Sequence, residues 1–208
     1  MKLRLIRNMY CERQMRKTQQ GMTLIELLIA LTILVIGMGG VMIMIATAIA
    51  QNNGTKHDST ATMLAQMVTE QILSVPANLN PPVGGAVNPV ETDCAGVAHP
   101  IPVAGAAGPL GAGALLVPQP APAGRVAGDI DITQAFGAVP VDGTNARYAM
   151  QWVACGDAGR QPTYDVRWNV QTLSINTKLV TVAARRRDTG RTAIGFNVPV
   201  TLRTIGGL

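Results

Sequence analysis

Aromatic residues make up only 3% of this 208-residue sequence, and histidine occurs only twice. The sequence contains no phosphate-binding glycine loop, no Cys-x-x-Cys pair and no nucleophile elbow. Its three cysteines have no histidine cluster to support them, so they make a poor metal site. We therefore expect a protein that is not an enzyme and that holds neither a metal ion nor a cofactor.

Charge is absent from the 24 residues between Leu27 and Ala50. As a helix this segment would span about 36 Å, which is enough to cross a hydrocarbon core of about 30 Å. The segment is too long for a typical secretory signal, and no small-x-small cleavage site follows it. Six Lys or Arg residues and one acid lie in residues 1–21, so the positive-inside rule predicts a cytoplasmic N-terminus and an exported remainder.

The formal net charge of +5 is concentrated in the first 21 residues. That segment holds six of the 17 basic residues and one of the 12 acidic residues, which leaves eleven of each sign in the rest of the chain. The high isoelectric point is therefore a property of the N-terminal segment and does not favour nucleic acid as a partner.

A single carboxylate stands at the entrance to the apolar segment. Glu26 lies at a depth where a lone acid is costly unless another group neutralises it. The hexapeptide from Gly21 to Glu26, with its apolar continuation to Ala50, resembles the processing site of type IV pilins and type II secretion pseudopilins. The family usually has Phe after the Gly, where this chain has Met22, and that position mainly requires an apolar side chain.

The resemblance implies that a prepilin peptidase cuts between Gly21 and Met22, and that the new amino group of Met22 is methylated. It also implies that Glu26 meets the positive terminal amine of a neighbouring subunit during assembly. Opposite charges attract strongly at low dielectric. A buried ion pair is better suited to fixing the register between neighbouring subunits than to adding net stability. The expected partners are the peptidase, other pilin subunits and the inner membrane, with a periplasmic C-terminal domain that later joins a pilus or pseudopilus.

The leader, residues 1–21, is long for this family. A start at Met15 would give a compact basic leader of more usual length, and Met9 is a further candidate beside Met1. If Met15 is the start, Cys11 does not exist in the cell.

Processing would leave two cysteines, Cys94 and Cys155. Exported domains lie in an oxidising compartment, where disulfides persist. A bridge between these two residues would close a long loop and stabilise the domain by about 2–4 kcal/mol. We expect this bridge; the alternative is two separate thiols, which an exported protein usually avoids.

The assembly helix, residues 22–50, leads into a second helical segment, residues 51–75, after a polar break near Asn52. The apolar residues of the second segment have the spacing of one helix face and are Met63, Leu64, Met67, Val68 and Ile72. We expect this face to pack on a sheet, with a Met-rich contact surface as the alternative. Pro76 ends the helix, because the residue before a proline avoids the helical region.

Residues 76–128 form a Pro/Gly/Ala-rich region, and ten of the thirteen prolines lie between residues 76 and 124. We expect low order here, with an irregular strand near residues 113–117 and a possible attachment to the sheet through Cys94.

Residues 129–208 predict a small antiparallel sheet. Four stretches alternate or are rich in β-branched residues, at 148–153, 164–170, 178–184 and 194–202. In the second stretch, apolar Tyr164 to Val170 alternate with Asp165, Arg167 and Asn169, the pattern of a strand with one buried face. Pro199 indicates an edge strand or a bulge. The sequence thus predicts an α+β fold, in which a long N-terminal helix packs on a C-terminal sheet.

Four other groups carry residue types found in functional sites. We expect each to be structural. His57-Asp58-Ser59 should be a polar break in a helix, and His99 should be solvated in a loop. Asp129 and Asp131 would make only a weak pair of cation ligands, and Arg185-Arg186-Arg187 should form a solvated hairpin end. The alternative is that the arginines contact DNA or phospholipid, but no aromatic residues are interleaved with them to stack on bases.

Three later segments are similar to the minor pilins that modify or initiate a pilus. They are an Ala- and Gln-containing half-helix, a Tyr-x-Val-x-Trp strand and a basic, Val-rich strand, at residues 61–72, 164–168 and 178–187. The resemblance favours a structural minor pilin. Three alternatives stay open: a minor pseudopilin of a type II secretion system, a filament-tip adhesin or DNA-binding module, and a membrane-anchored domain that is never cleaved.

Overall fold

The computed structural model describes residues 22–77, 88–156, 161–187 and 198–207. The predicted leader lies outside these ranges. The chain divides into two compact units, Met1–Asn52 and Asn53–Leu208, and a single helix, α1, Leu24–Ser74, contributes to both.

The first unit consists, in its described part, of the apolar beginning of α1. Every side chain from Met22 to Asn52 is exposed, although this stretch is long and apolar enough to cross a membrane. The polar hydroxyls here bond within the helix, as when Thr47 Oγ1 donates to Met44 O at 2.9 Å. The polar break predicted near Asn52 is wrong, because α1 continues through it; Asn or Gly inside a helix costs at most about 1 kcal/mol.

In the second unit, α1 buries one face. Its buried residues are Ala61, Leu64, Ala65, Val68 and Ile72. This supports core packing over a Met-rich contact surface, since Met67 is only half-buried and Met63 is 66% exposed. The helix ends at Ser74, two residues before Pro76, as the sequence predicted.

A buried lysine holds the end of α1. Lys178 Nζ donates to the carbonyl oxygens of Ile72 and Val75, which the last turn of a helix leaves without intrahelical partners. Burial lowers the pKa of Lys178. Close by, a side chain at Gly206 would collide with Leu73, so a glycine lets the sheet approach the helix end.

The second unit also holds a two-stranded ribbon and a larger sheet. The strands are β1 Val90–Thr92, β2 Ala98–Pro100, β3 Ala106–Ala107, β4 Ala112–Gly113, β5 Ala149–Val153, β6 Thr163–Ser174, β7 Thr177–Arg186 and β8 Val200–Gly207. The ribbon pairs β1 with β2. In the larger sheet, β6 pairs with β7 along one edge and β7 pairs with β8. Along its other edge, β6 pairs in turn with β5, β4 and β3.

The α+β prediction is confirmed, with two differences in the sheet. The short strand β3 runs parallel to β6, so the sheet is mixed and not purely antiparallel. The last strand begins at Val200 and runs to Gly207, later than the predicted 194–202, of which residues 194–197 lie outside the described ranges. Pro199 directly precedes this strand, which is an edge strand among those described; a proline has no N–H to donate to a ladder.

One face of β6 carries the apolar core. Tyr164, Val166, Trp168 and Val170 are completely buried and belong to the same hydrophobic cluster as the buried face of α1. The polar edge of the large indole is also satisfied, because Trp168 Nε1 donates to Pro102 O at 3.0 Å.

The opposite face of β6 is polar and is buried as well. Asp165, Arg167, Asn169 and Gln171 are each at most 8% exposed. The prediction of a single buried face is therefore wrong. Parts of the segment between residues 104 and 139, called the cover below, bond to this second face, mainly through backbone carbonyls.

Two amides on β6 show how this cover is held. Asn169 Nδ2 donates to Leu110 O at 2.9 Å and to Ala114 O at 2.8 Å. Gln171 Nε2 donates to Pro109 O at 2.6 Å. A proline lacks an N–H but keeps its carbonyl acceptor, so a proline-rich segment can still accept hydrogen bonds from sheet side chains.

An arginine makes the corresponding contact further along β6. Arg167 donates to both carboxylate oxygens of Asp165, at 2.9 and 2.8 Å, and to Gln134 O at 2.6 Å. Its guanidinium carbon also lies 6.0 Å from the centre of the Phe136 ring. The buried ion pair is thus bidentate and is tied to the covering segment.

The expectation of low order is consequently wrong for residues 88–128, which form strands, turns and this cover; residues 78–87 lie outside the described ranges. The predicted irregular strand is reduced to β4 and an isolated bridge between Leu116 and Ile130. Gly113 has a φ of +117°, and a Cβ there would collide with the backbone oxygen of Trp168. Glycine therefore permits the close approach that the cover requires.

Candidate functional site

The predicted assembly site begins with a reciprocal cap on α1. Thr23 directly precedes the helix, and Glu26 lies three residues later. The Glu26 N–H donates to Thr23 Oγ1 at 3.4 Å, while the Thr23 N–H and hydroxyl donate to Glu26 Oε2 at 3.1 and 3.0 Å. This is the capping-box arrangement, in which two donors at the helix start are satisfied by side chains.

The cap sets both the start of the helix and the position of the carboxylate. The helix begins at Leu24, two residues after Met22, and Glu26 lies in its first turn, where the helix dipole favours negative charge. All of the bonds to Thr23 use Oε2, and Oε1 takes part in none of them. The carboxylate can therefore cap its own helix and still accept a hydrogen bond from an outside donor.

The surface beyond Glu26 requires an apolar environment. The side chains from Leu27 to Ala50 are exposed in the single chain, and none of them is charged. At Gly37, Gly39 and Gly40, an added Cβ would meet no atom within 4 Å. Among the described residues, no packing contact therefore requires these three glycines. In membranes, small residues allow helices to approach closely.

Comparison with known families singles out this same region. Residues 16–42 match the model of the prokaryotic N-terminal methylation motif. This match supports a type IV pilin-like prepilin over the N-terminal part of the chain. Neither the search of curated proteins nor that of solved structures found a match. The family match covers the leader end, Glu26 and the first half of the apolar helix.

Of the two predicted processing residues, the structure describes one. Gly21 lies outside the described residues. Met22 is 67% exposed and precedes the helix. Sequence reasoning included Thr23 in the motif but missed its capping role, although the spacing Thr-x-x-Glu before an apolar run is the sequence signal for it.

Cys94 and Cys155 form a disulfide with a Cα–Cα distance of 5.3 Å. The bridge ties the turn after β1 to the end of β5, where Cys94 N also donates to Val153 O at 3.1 Å. The sequence predicted this pairing, and disulfides of this kind persist in oxidising compartments.

The residue before the bridge is a buried acid that organises the turn. Asp93 accepts hydrogen bonds from the N–H groups of Ala95, Val97 and Val153 and from His99 Nε2, at 2.9 to 3.2 Å. Burial alone would raise the pKa of Asp93, but these hydrogen bonds together outweigh burial and lower it. The prediction of a solvated His99 is wrong, because its side chain is only 12% exposed.

The remaining polar candidates are engaged in structural contacts. Ser59 Oγ donates to Thr55 O at 2.9 Å, and His57 Nδ1 lies 3.1 Å from the Tyr164 hydroxyl. Asp131 Oδ1 accepts from Arg125 at 2.8 Å and from the hydroxyl of Thr133 at 2.6 Å. Within the described ranges, no group of three or more potential metal ligands comes together.

Two of the three consecutive arginines are held inside the domain. Arg185 Nη2 donates to Ile132 O at 3.3 Å and lies 3.5 Å from Asp165 Oδ2. Arg186 Nη1 lies 2.6 Å from His57 Nε2. Arg187 is exposed. The prediction of a solvated hairpin end therefore holds only for Arg187, and the cluster does not present three guanidinium groups to a phosphate backbone.

Proposed function

We propose that this prepilin-like chain is a structural subunit of a type IV pilus, a minor pilin that initiates or modifies the filament. The match to the methylation motif is the observation that carries the proposal. The exposed apolar half of α1 supports it, because that surface needs either lipid or neighbouring helices to cover it. In this role the protein is a substrate of a peptidase and not itself an enzyme.

The proposed steps are those that the resemblance of residues 21–26 to the prepilin processing site implies. A prepilin peptidase cuts between Gly21 and Met22, and the new amine of Met22 is methylated. In the filament, that amine on one subunit pairs with Glu26 of the next. Oε1 of Glu26 is the oxygen available to the incoming ammonium, while Oε2 stays with Thr23. In a low-dielectric environment, each charge relieves the cost of desolvating the other.

The minor role rests on the later segments. The half-helix at 61–72 packs on the sheet, and the segments at 164–168 and 178–187 lie in the adjacent central strands β6 and β7. A pseudopilin of a type II secretion system would use the same helix. Deletion of the gene separates the two roles: loss of pilus-dependent motility supports a pilin, and loss of protein secretion supports a pseudopilin.

A filament-tip receptor for DNA gains no support from the arginine cluster, because Arg185 and Arg186 bond within the domain. Nucleic acid is therefore not part of the proposed function.

The first test is the intact mass and N-terminal sequence of the protein from its native membrane, with and without the prepilin peptidase. We expect a chain that begins at N-methylated Met22 only when the peptidase is present. A chain that keeps its basic leader in both strains would overturn the proposal and leave a signal-anchored domain.

The second test separates processing from assembly. In Glu26→Gln the carboxylate charge is lost but the side chain can still accept a hydrogen bond. We expect normal cleavage and a loss of about tenfold or more from the sheared filament fraction, since an ion pair at low dielectric is worth several times 1.4 kcal/mol. Glu70→Gln is the matched control, because Glu70 is an exposed glutamate on the same helix. Equal incorporation of both variants would contradict the assigned role of Glu26.

A further inference from the structure

A line of polar side chains crosses from α1 to the sheet within the second unit. His57 lies on α1, Tyr164 near the start of β6, and Arg186 at the end of β7, directly opposite Tyr164 in the strand register. His57 Nδ1 is 3.1 Å from the Tyr164 hydroxyl, and His57 Nε2 is 2.6 Å from Arg186 Nη1.

The donors and acceptors in this line fix one state of the imidazole. A guanidinium can only donate, so Nε2 of His57 must accept from Arg186 and carry no proton. The single ring proton then resides on Nδ1, which donates to the Tyr164 hydroxyl. This is the neutral Nδ1–H tautomer of the imidazole.

The line continues back to the helix. Thr60 is hydrogen-bonded to Tyr164, and its own hydroxyl hydrogen goes to Lys56 O at 3.0 Å. Because Tyr164 is completely buried, its pKa is raised, and the hydroxyl stays protonated. Arg186 donates to His57 and His57 donates to Tyr164, so the two bonds of the imidazole point in the same direction.

The charged groups around the imidazole come from three elements. Arg186 on β7 faces it directly, Tyr164 on β6 is neutral, and Lys56 and Asp58 flank it on α1. Asp58 would favour a protonated imidazole, but its side chain is exposed and its effect is screened by water. His57 and Arg186 also make interactions beyond the two bonds between them and Tyr164.

We propose that these side chains form an acid-sensitive latch that fastens residues 56–60 of α1 to the end of the sheet. When Nε2 of His57 gains a proton, an acceptor becomes a donor, and two cations face each other 2.6 Å apart. An ordinary histidine protonates near pH 6.5, so the latch is closed at neutral pH and opens under acid conditions.

Opening is local, because the rest of the helix is held separately. Leu64, Val68 and Ile72 stay in the apolar core, and Lys178 still caps the helix end. The residues that are released follow directly after the boundary between the two units at Asn52 and Asn53. In an exported protein, this part of the chain experiences the pH outside the cytoplasm.

The tautomer can be observed directly. The full chain in detergent micelles, labelled with ¹⁵N, contains only two histidines, and the variant His99→Gln assigns the signals of His57. We expect the ring nitrogens of His57 to show the neutral Nδ1–H form at pH 7.5 and still to show it at pH 6.5, where a typical histidine is half protonated. An Nε2–H tautomer, or half protonation at or above pH 6.5, would overturn the proposal.

Hydrogen exchange tests the mechanical consequence. We expect amides of residues 57–62 to exchange about tenfold faster at pH 5.5 than at pH 7.5 after correction for the intrinsic rate, with residues 66–72 unchanged. In His57→Gln, the amide oxygen accepts from Arg186 and the amide nitrogen donates to Tyr164 at every pH, so the acid effect should disappear. His99→Gln is the matched control and should keep it.

The arginine is tested by a neighbouring pair of variants. Arg186→Gln removes the cation that opposes protonation, so the acid effect on residues 57–62 should shrink severalfold, whereas Arg187→Gln should leave it intact. An acid effect that persists in both His57→Gln and Arg186→Gln would show that another group is responsible, and the latch would be rejected.

Discussion

The two faces of strand β6 are buried by opposite means. On one face, Tyr164, Val166, Trp168 and Val170 meet apolar side chains, and the gain comes from removing apolar surface from water. On the other face, Arg167, Asn169 and Gln171 donate to backbone carbonyls of the segment between residues 104 and 139, and Asp165 pairs with Arg167.

The difference lies in what each cover supplies. A helix uses most of its carbonyls within itself, and α1 covers its face of β6 mainly with apolar side chains. An irregular segment rich in Pro, Gly and Ala has many carbonyls without partners and few large side chains, so donors on the sheet suit it. Burial of polar groups is acceptable here because most of their hydrogen bonds are made.

The largest expected effect is on the apolar face. Replacing Trp168 with Ala removes the largest completely buried side chain and should lower the free energy of unfolding by about 3–5 kcal/mol. Denaturant unfolding of the full chain in detergent, followed by circular dichroism, would measure it. Trp152→Ala is the control, because Trp152 is only half-buried and should cost clearly less. Equal losses would contradict the assigned core.

The next effect is on the polar face. Arg167→Met leaves the carboxylate of Asp165 buried with only the more distant Arg185, and should cost about 3 kcal/mol. The double variant Asp165→Asn/Arg167→Met removes the stranded charge and should recover part of that loss. Tryptophan fluorescence reports on this, since both tryptophans lie in the second unit. If the double variant is less stable than the single one, the pair does not act as described.

A smaller effect should come from a single amide. Asn169→Ala removes the donors to Leu110 O and Ala114 O and should cost about 1–3 kcal/mol. Hydrogen exchange should rise mainly in residues 110–116, which the amide holds. Asn176→Ala, in the exposed turn between β6 and β7, should have almost no effect. A uniform rise over the whole domain would mean that the cover and the core unfold together.

The smallest effect concerns pH. The pKa of Asp93 is lowered below its ordinary value of 3.8, so its contribution to stability is present above pH 3.8 and is lost as the pH falls through the lowered pKa. Unfolding free energies at pH 5 and pH 2.5 should therefore differ more for the unmodified chain than for Asp93→Asn. An identical acid loss in both would exclude Asp93 from the effect.

Periodicity predicted the elements whose pattern is local. The helix face with Leu64, Val68 and Ile72, and the alternation at Tyr164 to Val170, need no knowledge of distant residues. The polar face of β6 was misread because alternation shows only that Asp165 and Asn169 are polar. It does not show that residues some 55 positions earlier cover them.

The candidate functional residues also divide into those that a local sequence pattern predicts and those that depend on distant partners. The motif at Gly21 to Glu26 is contiguous and could be recognised from the sequence alone. His57 could not be placed, because its partners lie 107 and 129 residues away and no spacing relates them. His99 was predicted to be solvated for the same reason, because it is the fold that brings Trp152 to within 5.6 Å of its ring.

The cover over β6 is held by hydrogen bonds to its backbone carbonyls, and every residue type has a backbone carbonyl. Replacing Leu110 or Leu115, which point outward with 74% and 52% exposure, alters what the surface displays without removing any bond that fastens it. Lineages could therefore change the appearance of this face quickly, while the glycines that permit close approach and the donors beneath stay under constraint.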